Sequence, residues 1–133
     1  MYKVVVSDLD GTLLNNQHVV SDFTRSTLDI LVKDGVRLII ASGRHIIDMR
    51  GIRQAIGIDC DLIAFNGAII VDSKDHVLFQ HSLPPKLAED IICNIQYRHP
   101  DCDINVDTSD GWYIQRETPE WLEFHKESGF SIS

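Results

Sequence analysis

The most informative chemical feature of the sequence is a pair of carboxylates two positions apart, Asp8 and Asp10. They directly follow the apolar run Val4-Val5-Val6 and precede Gly11, which lets the chain turn sharply and aims both side chains at one spot. Ligands of open α/β sheets bind just beyond the carboxyl ends of the strands, and buried carboxylates are costly unless they are paired or metal-bound. Oxygen donors without nitrogen or sulfur partners favour Mg²⁺. The alternative is an ordinary turn with two solvated acidic side chains.

Three short runs of branched apolar residues predict the strands that position this pair. They cover residues 3–7, 36–41 and 62–65, and such runs are typical of parallel strands buried on both faces. Two helical patterns separate the runs: the first follows a predicted N-cap at Ser21, and the second covers His45 to Ile56. The apolar stripes of these helices consist of Phe23, Leu28, Leu31 and Val32 in the first, and of Ile46, Met49, Ile52 and Ile56 in the second.

Strands and helices that alternate at this spacing predict an α/β fold with a parallel, Rossmann-like sheet and right-handed crossovers. If the strands are added in one direction, both helices lie on the same face of the sheet. The opposite face is then left uncovered by anything before residue 66. A hairpin of residues 68–71 and 77–79 follows.

The pattern changes near residue 83, which divides the chain into a predicted core region, 1–83, and a second region, 84–133. The second region begins with a helical pattern in which apolar residues are four positions apart, Leu87, Ile91 and Ile95. Two predicted strands, 103–107 and 112–116, and an amphipathic stretch, 119–127, complete it. This order predicts part of an α+β unit.

Composition and charge restrict the function classes. The 133 residues are 44% hydrophobic and 24% charged, without an apolar run long enough for a transmembrane helix. A net charge of −8, with the lysines and arginines scattered, would repel nucleic acid. The three cysteines show no paired spacing, which favours free thiols in a reducing compartment, and the six histidines show no zinc-ligand spacing. We therefore expect a cytoplasmic protein that binds neither nucleic acid nor membrane.

The string from Asp8 to Leu14, Asp-Leu-Asp-Gly-Thr-Leu-Leu after an apolar strand, resembles the first motif of the haloacid dehalogenase-like phosphohydrolases. The resemblance implies that Asp8 is the nucleophile that accepts the phosphoryl group. It implies that Asp10 acts first as a general acid and then as a general base. It also implies a Mg²⁺ ion held by the Asp8 carboxylate, the Asp10 main-chain carbonyl and the phosphate.

Ser42, Gly43 and Arg44 follow the second predicted strand and resemble the second motif of the same family. The resemblance implies phosphate binding at Leu9, Ser42 and Gly43, with the positive end of the next helix directed there. It also implies substrate binding at Arg44. The alternative role for Ser42 is to cap that helix.

Asn66 and Gly67 follow the third predicted strand and look like the Cof-type branch of the family, in which an α/β cap domain is inserted after this strand. The resemblance implies substrate binding at both positions, although Asn-Gly is also the commonest hairpin signal. Residues 84–133 resemble the first part of the cap domain. For residues of this region that could contact the substrate, a place in the core or on the surface of the cap is the favoured alternative. The candidate contacts there are Trp112, Tyr113 and Arg116.

The resemblance covers the whole chain, but a complete family member is twice as long. The family's lysine motif and its second acidic motif have no match after residue 100. We therefore expect an amino-terminal portion of a Mg²⁺-dependent phosphohydrolase. It would hydrolyse small organic phosphates, of sugar phosphate or pyridoxal phosphate type, through an aspartyl-phosphate, and this chain would be only weakly active. The alternative is a non-enzymatic remnant that binds Mg²⁺ or phosphate weakly or only self-associates.

The expected partners are a small phosphorylated metabolite and a further copy of the chain. The first strand is central in the family's sheet, whereas here it would form an open apolar edge, and such an edge can pair with another chain. We therefore expect a homo-oligomer. A phospho-accepting receiver module shares the acidic first strand, but it would need an acceptor aspartate where this sequence has Asn66.

Overall fold

Short apolar runs form one five-stranded sheet in the computed structural model, which describes residues 2–116 and 118–119. The strands are β1 (Val4–Asp8), β2 (Arg37–Ala41), β3 (Asp61–Ala64), β4 (Ile69–Val71) and β5 (Val77–Gln80). They lie side by side in sequence order, with β1, β2 and β3 parallel and with β4 and β5 antiparallel to their neighbours. The predicted α/β fold with a parallel core sheet is confirmed. The antiparallel pairing of β3 with β4 goes beyond the prediction, and it arises because a single turn, Phe65–Gly67, reverses the chain.

The two crossover helices are α1 (Asp22–Lys33) and α2 (Ile46–Ile56). The predicted cap of α1 is confirmed, because the Ser21 hydroxyl oxygen accepts a hydrogen bond from the Thr24 amide at 3.2 Å. This bond satisfies one of the amides that a helix leaves unpaired in its first turn. The crossover connections through these helices let β1, β2 and β3 run parallel.

The apolar stripes of both helices pack against one face of the sheet. Phe23 is the exception to the predicted stripe of α1, since it is 84% exposed at the solvent side of the first turn. The core that forms on this face is continuous and includes residues from every strand from β2 to β4. Its buried members are Leu9, Leu14, Leu28, Leu38, Ile40, Ile46, Met49, Ile56, Ile58, Cys60, Leu62, Ala64, Ile69 and Val71.

The opposite face of the sheet also carries branched side chains. Side chains alternate along a strand, so Val4 and Val6 lie opposite to Val5, which packs on the core. Val4 is 47% exposed and Val6 is 57% exposed. β1 is the outermost strand on its side of the sheet, and β2 is its strand partner in the described residues.

The chain divides into two compact units, Met1–His81 and Ser82–Ser133. The second unit contains α3 (Pro85–Arg98) and an antiparallel pair, β6 (Asn105–Asp107) and β7 (Trp112–Ile114), which confirms the predicted helix and two strands. The predicted stretch 119–127 lies, apart from its first residue, outside the described residues. Among the residues that are described, no helix is both long enough and apolar enough to span a membrane.

Candidate active site

The two carboxylates of the first motif lie at the end of β1, on either side of a buried anchor. Asp8 is the last residue of β1, and Leu9 is completely buried in the core. The next turn is closed by a hydrogen bond from the Leu14 amide to the Leu9 carbonyl at 2.9 Å, and Gly11 supplies the left-handed φ of +71° that the turn requires. Because Leu9 points inward, Asp8 and Asp10 are both exposed. The expectation that burial makes this pair costly is therefore wrong.

Thr12 orients the Asp8 carboxylate. Its hydroxyl donates a hydrogen bond to Asp8 Oδ2 at 3.1 Å. Sequence reasoning missed this contact, although the signal is present: Thr12 lies four positions after Asp8, across the turn at Gly11. A carboxylate that accepts one bond from a fixed hydroxyl has a restricted orientation, which suits a group that must approach a substrate along one line.

Arg44 binds the Asp10 carboxylate with two parallel hydrogen bonds. Arg44 Nε lies 2.8 Å from Asp10 Oδ2, and a terminal guanidinium nitrogen lies 2.6 Å from Oδ1. These bonds lower the pKa of the Asp10 carboxyl below its ordinary value, and burial only partly opposes the effect. The charge of His18, a residue that sequence reasoning did not single out, lowers it further. Hydrogen bonding to Asp10 also raises the pKa of Arg44. The guanidinium that was predicted to bind substrate is therefore bound to a carboxylate of the protein in this structure.

The loop after β2 places Ser42 beside β1, because Asp8 is in register with Ala41 on the neighbouring strand. The Ser42 hydroxyl oxygen accepts a hydrogen bond from the Arg44 amide at 3.2 Å. The alternative role of Ser42 as the cap of α2 is wrong. His45 caps this helix instead, since its Nδ1 accepts a hydrogen bond from the Ile47 amide at 3.2 Å.

His45 has a structural role that the sequence did not reveal, because histidine is not among the preferred N-cap residues. Its side chain is buried, and its ring meets that of Phe65 edge to face, with 4.7 Å between the ring centres. The loop before α2 is therefore held both by a cap and by an aromatic contact.

The turn after β3 interlocks with the loop after β2. The Asn66 amide donates to the Ser42 carbonyl at 3.2 Å, and the Phe65 amide donates to the Arg44 carbonyl at 3.1 Å. A Cβ atom at Gly43 would lie 3.0 Å from Asn66 Oδ1, so glycine lets the Asn66 side chain lie this close without being displaced. Asn66 has a φ of +54°, and with Gly67 it also makes the reversal into β4. Asn66 and Gly67 therefore form the turn before β4 and also lie beside the candidate site.

The structure brings most of the predicted site residues to the carboxyl ends of the first three strands. This group comprises Asp8, Leu9, Asp10, Ser42, Gly43, Arg44, Asn66 and Gly67. The candidates from the second region lie in the other unit, where the Arg116 guanidinium donates a hydrogen bond to the Pro100 carbonyl at 2.9 Å.

The donor set at the end of β1 fits Mg²⁺ in kind, because it consists of hard oxygen atoms. The Asp8 carboxylate is exposed and the Asp10 main chain adds a carbonyl, whereas both Asp10 carboxylate oxygens bind Arg44. Within residues 2–116 and 118–119, no cluster of three or more His, Cys, Asp or Glu side chains could hold a metal ion. The protein ligands found there would leave much of an octahedral shell to water.

Comparison with known proteins supports one family. A family model described as haloacid dehalogenase-like hydrolase matches residues 5–132. A protein of Haemophilus influenzae named as a phosphatase is 37% identical over 133 residues, which cover 99% of this chain and 48% of that protein. The HMP-PP phosphatase of Yersinia pestis is 35% identical, over 98% of this chain and 47% of that protein.

A solved structure is similar as well. A haloacid dehalogenase-like hydrolase from B. subtilis matches with a TM-score of 0.81 and 29% identity, over 92% of this chain and 42% of that one. The chain therefore spans about half the length of the curated relatives it matches.

Proposed function

Because the chain belongs to the haloacid dehalogenase-like hydrolases, we propose that its site serves Mg²⁺-dependent hydrolysis of small organic phosphates. One observation carries the proposal. An exposed, oriented carboxylate at the end of β1, Asp8, lies next to a second carboxylate that binds an arginine, Asp10 with Arg44. Groups that can serve as a nucleophile, as a proton carrier and as a guanidinium for the phosphate therefore lie at the carboxyl ends of the strands.

Asp8 acts as the nucleophile. One of its carboxylate oxygens attacks phosphorus, the bond between phosphorus and the ester oxygen breaks, and Asp10 protonates the departing oxygen. Asp10 then takes a proton from water, which attacks the aspartyl-phosphate and releases inorganic phosphate. The Thr12 hydroxyl, 3.1 Å from Asp8 Oδ2, keeps the carboxylate in one orientation.

Arg44 exchanges its partner during this cycle. A guanidinium that binds a carboxylate with two parallel hydrogen bonds can bind a phosphate with the same geometry. Asp10 needs a proton to act as an acid, and the Arg44 contact lowers its pKa. Transfer of Arg44 to the substrate phosphate removes that effect, so substrate binding prepares Asp10 for its role.

The Asp8 carboxylate and the Asp10 main-chain carbonyl would hold Mg²⁺, which when bound neutralises negative charge on the phosphoryl group. Ser42 and the amide of Gly43, at the start of the segment that leads into α2, bind the phosphoryl oxygens. His45, Phe65 and Asn66 keep this loop in place through the contacts described above.

The substrate is a small phosphorylated metabolite of the sugar phosphate or pyridoxal phosphate type. The net charge of −8 opposes a polyanionic substrate. The relative named HMP-PP phosphatase supports a phosphate ester of a small molecule and adds that compound to the candidates. As this chain spans about half the length of such relatives, we expect its own activity to be weak.

The test is phosphate release from HMP-PP, pyridoxal phosphate, sugar phosphates and p-nitrophenyl phosphate, with Mg²⁺ or with EDTA. Asp8→Asn should abolish any EDTA-sensitive release, and Asp22→Asn, on the exposed first turn of α1, should leave it unchanged. Because weak activity can fall to background, ¹⁹F NMR with fluoroberyllate provides a second readout: a Mg²⁺-dependent complex should form and should be lost in Asp8→Asn. Turnover that Asp8→Asn leaves unchanged contradicts the mechanism.

The second candidate function is a non-enzymatic module that binds Mg²⁺ or phosphate weakly. The closed pair of Arg44 and Asp10 favours it, since both charged groups are already satisfied. Phosphate binding that Asp8→Asn leaves intact, without turnover or a fluoroberyllate complex, would favour this alternative.

A further inference from the structure

The imidazole of His45 caps α2 in a way that fixes the protonation state of the ring. Its Nδ1 atom accepts a hydrogen bond from the Ile47 amide at 3.2 Å. A main-chain amide can only donate, so Nδ1 must offer a lone pair and cannot carry a proton. The neutral ring therefore has its proton on Nε2. An imidazolium, which has a proton on both nitrogens, cannot form this cap.

The surroundings of the ring suit its neutral form. His45 is buried, and its ring lies edge to face against Phe65 with 4.7 Å between the ring centres. The ring also lies at the positive end of the α2 dipole, where an added positive charge is unfavourable. Protonation of Nδ1 would bring two N–H donors together, so the ring would have to leave the Ile47 amide.

The charged neighbours of His45 in the described chain come from its own loop, from α2 and from the end of β1. Arg44 directly precedes it, and Asp48 follows in the first turn of α2. The end of β1 contributes Asp8 and Asp10, and Asp10 binds Arg44. The turn after β3 faces the ring with an uncharged aromatic side chain. Protonation of His45 would thus place a second positive charge next to Arg44 in the chain.

Contacts of the preceding residues connect the ring to the candidate site. The Arg44 amide donates to the Ser42 hydroxyl oxygen at 3.2 Å, and the Arg44 carbonyl accepts from the Phe65 amide at 3.1 Å. A ring that leaves the Ile47 amide would also leave Phe65, so the loop would lose both contacts of His45 at once.

From this geometry we propose that His45 is a positioning residue that makes the loop after β2 sensitive to pH. The neutral ring keeps residues 42–44 in place, and protonation releases them. The role of these residues in phosphate binding rests on the function proposed above, whereas their dependence on His45 does not.

The direction of the pH effect follows from the form that the folded chain binds. The cap requires the neutral ring, so it is present at high pH and is lost as the pH falls through the range of about 5 to 8 in which histidines titrate. His76, a 72% exposed side chain in the β4–β5 turn, provides the contrast. Its Nδ1 lies 2.9 Å from Asp72 Oδ2, a carboxylate that suits a protonated ring.

NMR spectroscopy of the whole chain tests the proposal. The ring ¹⁵N signals of His45 should show the Nε2–H tautomer at about pH 7.5. Exchange of the Ile47 amide with water, relative to an unstructured peptide at the same pH, measures the cap. Lowering the pH from about 7.5 to about 5.7 should reduce this protection at least about threefold. The lower pH stays above the isoelectric point of about 5.0, at which the net charge reaches zero.

Two histidine-to-asparagine variants separate capping from other effects of pH. His45→Asn retains a cap, because asparagine is a preferred N-cap residue, but its amide does not take up a proton. This variant should protect the Ile47 amide equally at both pH values. His76→Asn should leave the pH dependence as it is in the unaltered chain. If His45→Asn does not fold, the tautomer and the Ile47 exchange of the unaltered chain decide.

An Nδ1–H tautomer of His45, or equal protection of Ile47 at both pH values, overturns the proposal. An acid-induced loss of protection that His45→Asn retains does so as well. Titration with inorganic phosphate at about pH 7.5, followed on the amide signals of residues 42–44, tests the site separately. A cap that depends on pH, without a response to phosphate, would support this inference and contradict the proposed function.

Discussion

The two units of the chain share the same kind of apolar periodicity but differ in what it achieves. All the buried apolar residues that the structure describes lie in Met1–His81, and none of the described residues of Ser82–Ser133 is buried. In α2 the stripe packs on a sheet and Met49 is only 1% exposed, whereas Leu87 and Ile91 of α3 remain exposed. An amphipathic helix is therefore stabilised only where a second layer covers its apolar face. The candidate active site belongs to the unit with a core.

The largest effect should come from separating the units. We expect residues 1–81 to fold alone and to unfold cooperatively, because they contain the buried core that the structure describes. Residues 82–133 alone should show no cooperative transition. Thermal unfolding followed by circular dichroism, together with amide dispersion in NMR spectra, checks both. Cooperative unfolding of 82–133 alone would break the comparison.

Matched leucine truncations should differ between the units. Leu62→Ala, at a completely buried position in β3, should lower the free energy of unfolding by about 2–5 kcal/mol, because it leaves a cavity. Leu87→Ala, at an exposed position in α3, should cost less than about 1 kcal/mol. Urea denaturation at equal protein concentration measures both. Equal losses would show that α3 packs more tightly than its exposure indicates.

The reactivity of the three cysteine thiols should show the same difference between the two units. Burial raises the pKa of Cys60 from 9.0 to about 11. Its thiolate population at pH 8 is therefore lower by about a hundredfold, and burial also blocks the reagent. Cys93 and Cys102 are exposed. Ellman's reagent should modify two thiols rapidly in the native chain and all three in urea, and three equally fast native thiols would refute the buried position of Cys60.

The smallest effects on stability should distinguish the interlocked loops after β2 and β3 from the exposed surface of α2. Gly43→Ala should destabilise by about 1–2 kcal/mol, because its Cβ would meet Asn66 Oδ1 at 3.0 Å. Gly51→Ala, in the exposed middle of α2, meets nothing within 4 Å and should stabilise by about 0.5–1 kcal/mol. Thermal unfolding of both variants checks the opposite signs. A stabilising Gly43→Ala would mean that the two loops are not tightly interlocked.

The sequence predicted the parts of the fold that depend on local pattern. The three parallel strands, the helix cap at Ser21 and the hairpin follow from periodicity and turn residues. Phe23 shows the limit, since its spacing fits the stripe of α1 but its side chain is 84% exposed. Spacing gives the face of a helix, and only tertiary structure gives the extent to which that face is covered.

The site was predictable as a set of residues but not as a set of contacts. Asp8, Ser42 and Asn66 could be placed at neighbouring strand ends, because parallel strands end at one edge. The pairing of Arg44 with Asp10 joins residues 34 positions apart, and no local pattern encodes it. His45 was missed as a cap because histidine is not among the preferred N-cap residues, and its ring contact with Phe65 is a tertiary contact that no local pattern encodes.

The bond between Arg44 and Asp10 has a consequence for ligand affinity. In the proposed mechanism the Asp10 carboxylate competes with the substrate, since it occupies the guanidinium that would bind an incoming anion. An anion that needs Arg44 binds with its intrinsic affinity only to molecules in which the pair is open. If the pair is closed in about nine of every ten molecules, the apparent Kd rises about tenfold. Under the proposed mechanism the protein would thereby discriminate against weak, singly charged anions and would respond to ligands that bind tightly enough to displace the Asp10 side chain.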